Sequence, residues 1–332
     1  MVNPQSTIQN PKSTVALLTG GDDRPYVFGL ATALISEGAV LDLIGSDDLD
    51  FPEFRCDPAV NFLNLRGNQA TDAPAAQKAL RILKYYARLI RYAATARPRI
   101  FHILWNNKFE LFDRTLLLLY YKLLGRKVVL TAHNVNAGRR DGNDSALNRV
   151  TLQIQYRLAD HVFIHTPKMK QELIEDYGVK PARATVIPFG IHNATPKTAL
   201  TSAEAKQRLG IPTAEKTILF FGRITPYKGL QYLVSAFHKI TSRGGNYRLV
   251  IAGRPNRCES YWAAVRETIR DEVKSGRVLL RAEHIPDNET EIYFKAADVL
   301  VLPYRDVYQS GILFLAQSFG LPVIASQVGS LQ

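Results

Sequence analysis

The residues of greatest chemical promise are Arg223 and Lys228, five positions apart in the run Phe220-Phe221-Gly222-Arg223-Ile224-Thr225-Pro226-Tyr227-Lys228-Gly229-Leu230. An apolar strand over Thr217 to Phe221 ends in Gly222, which lets the backbone turn tightly, and a helix opens just after Gly229. Arg223 can fork onto two phosphate oxygens, while Lys228 adds a mobile point charge beside the positive end of the helix dipole. The chemistry suited to this spacing is the grip of a diphosphate. Two solvated cations on a strand-to-helix turn would look the same in isolation, but the pattern continues downstream. A second apolar strand, Val299 to Leu302, runs into Pro303-Tyr304-Arg305-Asp306-Val307-Tyr308-Gln309-Ser310-Gly311, and a helix follows from about Ile312 to Phe319. Free N–H groups at that helix start can also bind an anion. Both turns follow the carboxyl ends of strands, where ligands of open parallel sheets bind. Asp306, Gln309 and Ser310 supply the polar side chains of the second turn.

The elements that must position these turns are legible as strand-like runs alternating with helical ones, the pattern of a doubly wound parallel α/β sheet. In the first half, strands are expected at Val15 to Leu18, Val40 to Ile44, Val60 to Leu65, Ile100 to Leu104, Val128 to Thr131, Val162 to Ile164 and Thr185 to Ile187. In the second, they are expected at Thr217 to Phe221, Arg248 to Ala252, Val278 to Leu280, Val299 to Leu302 and Val323 to Ala325. The predicted organisation is an N-terminal Rossmann-like domain over residues 1–192, a linker over 193–216 with one short helix around Ala203 to Leu209, and a C-terminal Rossmann-like domain over 217–332. A chain of 332 residues is long enough for two cores.

Bulk properties narrow the partners. Lys and Arg number 42 against 30 Asp and Glu, a formal charge of +12 that draws the chain to phosphate-rich partners. Zinc-finger spacing, an aromatic RNA-binding signature and a continuous basic region are all missing, which favours a substrate or an anionic membrane surface over nucleic acid. Cys56 and Cys258 lie far apart and outside metal-ligand spacing, and are expected to be reduced structural thiols. Asp22-Asp23 and Asp47-Asp48 read as loops, so no metal site is expected. The first dozen residues lack the apolar segment of a secretory signal, and the longest apolar run, Leu116 to Leu124, is too short to span a bilayer. The expected location is the cytoplasm or the cytoplasmic face of a membrane.

With these motifs in place, the chain resembles a family-4 glycosyltransferase of the GT-B type from about residue 12 to its end. The resemblance rests on Gly222-Arg223 to Lys228-Gly229, on Pro303 to Pro322, and on Thr131-Ala132-His133-Asn134 after a strand of the first half. It implies two Rossmann-like domains facing a cleft. It also implies a nucleotide-diphosphate sugar as donor substrate with no further cofactor, and transfer of that sugar, with retention of configuration, to a hydroxyl acceptor such as a lipid-linked saccharide, a polysaccharide or a small molecule. By the same resemblance, Arg223 and Lys228 hold the diphosphate, and His133 lies in the cleft, where it could donate a hydrogen bond to a donor-sugar hydroxyl. Family members continue beyond the residue corresponding to Gln332, so the second domain is expected to be incomplete. One departure stands out: the two glutamates of the family's second motif fall on Val307 and Leu315, neither of which can accept a hydrogen bond. Asp306 is the candidate for the first glutamate, and nothing obvious replaces the second. Two further readings therefore remain: a catalytically degenerate sugar-nucleotide-binding protein, and a GT-B-type epimerase or phosphorylase.

In the first domain, Thr19-Gly20-Gly21-Asp22-Asp23 joins the first strand to a helical pattern from about Val27 to Glu37. Gly20 and Gly21 allow close backbone approach to a ligand at a helix start. The segment Pro74 to Ala96 reads as an amphipathic helix, with Leu80, Leu83, Ala87, Ile90 and Ala94 as its core stripe. Arg81, Lys84, Arg88 and Arg91 form a basic stripe one step round, with Tyr85 and Tyr92 beside it, a face that suits anionic headgroups or plain solvent.

Overall fold

The computed structural model describes residues 13–20, 23–69, 73–189 and 197–331. They form two compact units: the first runs to Asn136 and resumes over Asp144–Pro188, and the second holds Ala137–Asn143 together with the chain from Phe189 onward.

The first unit begins with β1 (Ser13–Leu18), α1 (Arg24–Ser36), β2 (Ala39–Gly45), β3 (Val60–Asn64), α2 (Ala75–Thr95) and β4 (Ile100–Ile103). The helix α3 (Glu110–Phe112) then passes through a π turn (Asp113–Leu117) into α4 (Leu118–Leu123), and β5 (Lys127–Thr131) follows. After α5 (Ala137–Asp141), which groups with the second unit, come α6 (Ala146–Leu158), β6 (His161–Ile164), α7 (Pro167–Tyr177) and β7 (Ala184–Val186). The seven strands make one sheet in the order β3-β2-β1-β4-β5-β6-β7, with every pairing parallel. Right-handed crossovers put α1 on one face and α2, α3–α4, α6 and α7 on the other. With both faces covered, the strands read as nearly unbroken apolar runs, and Leu17, Leu41, Phe101, Val128 and Val162 are fully buried. Helix starts are fixed by side-chain caps: Asp23 accepts from the Tyr26 N–H, Ser145 from Asn148 and Thr166 from Met169.

The second unit continues with α8 (Ser202–Arg208), β8 (Lys216–Phe221), α9 (Leu230–Thr241), β9 (Tyr247–Ala252), α10 (Glu259–Thr268), α11 (Arg270–Lys274) and β10 (Val278–Arg281). It closes with α12 (Asp287–Ala296), β11 (Val299–Leu302), α13 (Gly311–Ser318) and β12 (Val323–Ala325). Its five strands are again all parallel, in the order β10-β9-β8-β11-β12.

The segment before β8 is ordered, and one sequence expectation, on α2, needs correction. The short helix expected within the linker is α8, and residues 197–216 group with the second unit. The Thr201–Glu204 capping box starts α8, the Thr198 N–H donates to Glu291, and the Lys206 ammonium, nearly buried, reaches the Glu215 carbonyl and Asp298 Oδ2 at 2.7 and 2.9 Å. The correction concerns α2. Its buried residues are Tyr85, Tyr86, Leu89 and Ala93, while Leu80, Leu83 and Ile90 of the expected core stripe are exposed. The two tyrosines can turn inward because their hydroxyls find partners, Tyr85 on Asn107 Oδ1 and Tyr86 on Asp113 Oδ1.

Candidate active site

In the second sheet, the chain builds outward from β8 through β9 to β10, then returns to place β11 on the other side of β8. The strand order thus reverses between β8 and β11, and the crevice at the carboxyl ends there is where open α/β sheets hold ligands. The register Val299↔Ile218 and Leu300↔Leu219 sets the two turns picked out from the sequence side by side at that point. They are also tied directly: the Arg305 N–H donates to the Tyr227 carbonyl at 2.7 Å, and the Tyr227 and Tyr304 rings meet edge to face.

After β8 the backbone passes through Gly222 at φ +101°, a conformation side chains rarely adopt, and a Cβ placed there would lie 3.1 Å from Lys228 Nζ. Bare glycine therefore leaves room for the lysine to fold back over the turn. One 3₁₀ turn, Pro226–Lys228, then carries Lys228 into the start of α9. Lys228 is buried, and among the described residues no carboxylate pairs with it. Burial, followed by the charges of Arg223 and Arg140, pushes its ammonium down to about 8. Arg223 itself is exposed. Arg140, on α5, was not picked out from the sequence. Its guanidinium lies 4.3 Å over the Tyr227 ring and is paired with Asp141, so it brings a third cation to the turn from a segment far away in the chain.

The second turn supplies donors and orphaned polar atoms. Ser310 is buried at the N-cap of α13, and its Oγ has no hydrogen-bond partner, nor does Gln309 Oε1. The Leu313 N–H already donates to the Ser310 carbonyl, and the N–H groups of Gly311 and Ile312 have no backbone acceptor among the described residues. This is the polarity an anion requires. The Tyr304 hydroxyl faces Ser310 without a hydrogen bond of good geometry, and burial raises its phenol above the ordinary value. Asp306 stands exposed on the turn and makes no hydrogen bond or ion pair among the described residues. Val307 and Leu315 are both built into the apolar core around Leu302 and Tyr304.

The first sheet reverses its order between β1 and β4. Around that point lie Gly20 after β1, Trp105 after β4, His133 after β5 and His165 after β6. Gly20 has φ +54°, and a Cβ on it would sit 1.9 Å from the Trp105 carbonyl oxygen, so no side chain fits. Gly21 and Asp22 lie outside the described residues, and Asp23 is the cap of α1. The His133 ring stacks on Trp105 at 4.2 Å between centroids, with Tyr26 edge-on at 4.6 Å. Burial, with the neighbouring His165 and His102, lowers its imidazole to about 3, so it is neutral near pH 7. Burial likewise lowers His165.

The hydrogen bonds then fix the polarity of His133. His165 Nδ1 lies 3.1 Å from the Ile187 carbonyl, which can only accept, so Nδ1 carries the proton and Nε2 is an acceptor. His165 Nε2 in turn faces His133 Nδ1 at 3.2 Å, so His133 donates from Nδ1 and its buried, unpartnered Nε2 is a bare acceptor. With this tautomer, the Nε2 of His133 is suited to accept a hydrogen bond from a hydroxyl, and the proton it could donate is on Nδ1. His102 is fully engaged with Thr131 Oγ1 at 2.8 Å and belongs to the core. Trp105 and His165 were missed in the sequence; a tryptophan directly after a buried strand was the available signal for the former.

Two parallel α/β units, each with a ligand-competent reversal of strand order, define a GT-B-type glycosyltransferase fold. The chain belongs to glycosyltransferase family 4: residues 25–195 match the family model described as Glycosyltransferase Family 4, and residues 215–332 match Glycosyl transferases group 1. The D-inositol 3-phosphate glycosyltransferase of Kineococcus radiotolerans is 31% identical over 181 residues, covering 52% of this chain and 41% of the relative. The chain spans about half or less of the length of the first curated relatives it matches. Among solved structures, sucrose-phosphate synthase from Thermosynechococcus elongatus superposes with a TM-score of 0.69 at 19% identity, covering 97% of this chain and 83% of the other. Anabaena HepE, solved in complex with UDP-glucose, gives 0.67 at 16% identity over 96% and 82% of the two chains.

Proposed function

We propose that this chain transfers a sugar from a nucleotide-diphosphate sugar to a hydroxyl acceptor with retention of configuration. The observation that carries this reading is Lys228: a buried cation without a counter-ion, flanked by Arg223 and Arg140, at the strand-order reversal of the second sheet. A diphosphate supplies the missing negative charge. As the glycosidic bond breaks, charge grows on the diphosphate, and fixed cations with the N–H groups of α13 stabilise it without reorganising. The departing phosphate then assists removal of the acceptor proton, and in the first unit His133 Nε2 accepts a hydrogen bond from a sugar hydroxyl. The similarity to HepE supports a nucleotide sugar as the donor class. The acceptor is a sugar or a lipid-linked saccharide.

A binding protein without turnover is favoured by one observation, the burial of Val307 and Leu315 where the family pattern has carboxylates. Calorimetry with UDP-, GDP- and ADP-sugars, paired with donor-consumption assays in excess EDTA, separates the readings. Binding with EDTA-resistant turnover supports the transferase and charge stabilisation by protein cations alone. Binding without turnover, under EDTA or with Mg²⁺ or Mn²⁺ supplied, leaves the binding protein, and no nucleotide binding refutes both.

A further inference from the structure

Among the described residues, fourteen large hydrophobic side chains are exposed, and eleven of them belong to one stretch of surface on the first unit. They are not scattered. On α2 they are Leu80, Leu83 and Ile90; on α3, the π turn and α4 they include Leu116, Leu119 and Leu123; on α6 they are Leu147, Val150 and Ile154. The last two sets follow the same i, i+3, i+7 spacing, one stripe of a helix, and the α2 set lies on one stripe through Ala87. Leu83, Leu116, Leu123 and Leu147 are 62%, 63%, 78% and 60% exposed.

The three stripes share one surface. These helices follow crossovers of the same hand onto the same face of the sheet. Neighbours are tied together: the Tyr120 hydroxyl on α4 donates to the Ile90 carbonyl of α2, and Arg114 in the π turn donates to Asn148 of α6. The inward faces of the same helices carry the core, with Leu89, Tyr121 and Tyr156 buried. Each helix is thus apolar on two faces, and the outer one presents a row of large apolar side chains to solvent, the kind of contiguous patch that marks an interaction surface.

Charge decides what covers it. Residues 75–127 hold twelve Lys and Arg against two acidic residues, Glu110 and Asp113. Glu110 is already paired with Arg114, and Asp113 is buried. The helix α6 adds Arg149 and Arg157 and no acid. On α2, Arg81 and Arg88 reach back to the Asn68 and Leu65 carbonyls, whereas the exposed Lys84 and Arg91 side chains make no hydrogen bond or ion pair among the described residues. Two copies meeting through this face would bring two cationic surfaces together. An anionic lipid surface offers both an apolar layer for the leucines and negative headgroups for the cations. No helix of the described residues is long and apolar enough to cross a membrane.

We propose that the outer face of α2, α3–α4 and α6 docks the protein on an anionic lipid bilayer, with the leucine stripes entering the headgroup boundary and Lys84 and Arg91 meeting lipid phosphates. This surface is independent of the donor site, so nucleotide binding serves as an internal control.

The test is co-sedimentation of the full chain with vesicles of phosphatidylcholine alone or with phosphatidylglycerol added, at low and high salt. The expected result is binding to the anionic vesicles only, weakened by salt as the Debye length shrinks. The double variant Lys84→Gln, Arg91→Gln should lower the partition coefficient roughly 30-fold, at about 1 kcal/mol for each cation near the surface. Leu83→Ser with Leu123→Ser should also reduce binding, and both variants should keep the wild-type melting temperature and nucleotide affinity. Equal, salt-insensitive binding to both vesicle types would overturn the proposal. So would absence of binding to either, including the case where the chain is dimeric and Leu83→Ser makes it monomeric, which would assign the face to self-association.

Discussion

Replacing Lys228 by methionine should make the ligand-free protein more stable and its nucleotide binding weaker. In the free protein the ammonium is buried without a counter-ion and held at about 8, against 10.5 ordinarily. At about 1.4 kcal/mol for each tenfold change in proton affinity, that gap corresponds to about 3 kcal/mol of native-state penalty at neutral pH. The sign follows from the protons bound. Between about 8 and 10.5 the unfolded chain holds the lysine proton and the native one releases it, so stability rises with pH across that window and the penalty is full below it. Methionine keeps the stem and removes the charge, which should raise the melting temperature by several degrees at pH 7. A diphosphate reverses the balance, because it supplies the counter-ion that the apo site lacks. Losing one charge-assisted hydrogen bond should then cost about 1.5 to 3 kcal/mol of nucleotide affinity, roughly tenfold to a hundredfold. In the wild type, affinity should fall as pH rises above about 8, with proton uptake on binding. Calorimetry of UDP binding in buffers of different ionisation enthalpy, together with thermal melts of both proteins, measures each part. An unchanged or lower melting temperature together with unchanged UDP affinity in Lys228→Met would refute the reasoning.

Three further outcomes can be checked. Asp306→Ala should slow transfer at least tenfold while leaving affinity for the bare nucleotide diphosphate unchanged, since a contact to the sugar acts only when the sugar is present; a wild-type rate would make it a solvated loop residue. His133 should show the Nδ1-protonated tautomer in nitrogen-15 spectra and stay neutral down to about pH 4, as its imidazole is lowered to about 3; a titration near the ordinary 6.5 would contradict the relay through His165. Burial alone would raise Asp298, but the Thr217 N–H and the Lys206 and Lys216 ammonium groups outweigh it and hold the carboxyl below its ordinary 3.8. Its contribution to stability is therefore present above 3.8 and lost as pH falls through the lower folded value. Asp298→Ala, which leaves the Lys206 charge nearly buried without its carboxylate, should cost about 3 kcal/mol in a urea melt at pH 7.

The strands were legible in the sequence because a parallel sheet buried on both faces forces unbroken apolar runs, and each of the expected strands is found within two residues of its predicted ends. The Gly222-to-Lys228 and Gln309-to-Gly311 turns were legible for a related reason, since strand, turn and helix start are consecutive in the chain. What could not be read was anything decided by a distant partner. Apolar residues occupy both faces of α2, so periodicity cannot say which face is covered, and two tyrosines were buried only because Asn107 and Asp113 wait for their hydroxyls. The third cation at the Gly222-to-Lys228 turn, Arg140, arrives from a segment more than eighty residues before Lys228. The polarity of His133 is set by a carbonyl at Ile187, two hydrogen bonds away.

The same logic bears on Val307 and Leu315. As gaps in a motif they read as two missing hydrogen bonds, but in the folded chain they are part of the core that supports the second turn. Val307 is packed so tightly that a Cβ on Gly329 would lie 1.7 Å from its carbonyl oxygen. A carboxylate at either position would be buried among Leu302, Tyr304 and Leu321, where an unpaired charge costs several kcal/mol. Reverting them to glutamate would therefore unsettle the turn that presents Ser310 and Gly311 before it could restore a contact. The polar groups this turn leaves for a ligand are the buried, unpartnered Gln309 Oε1 and Ser310 Oγ and the exposed carboxylate of Asp306, and on the proposed function these would meet whatever lies beyond the diphosphate.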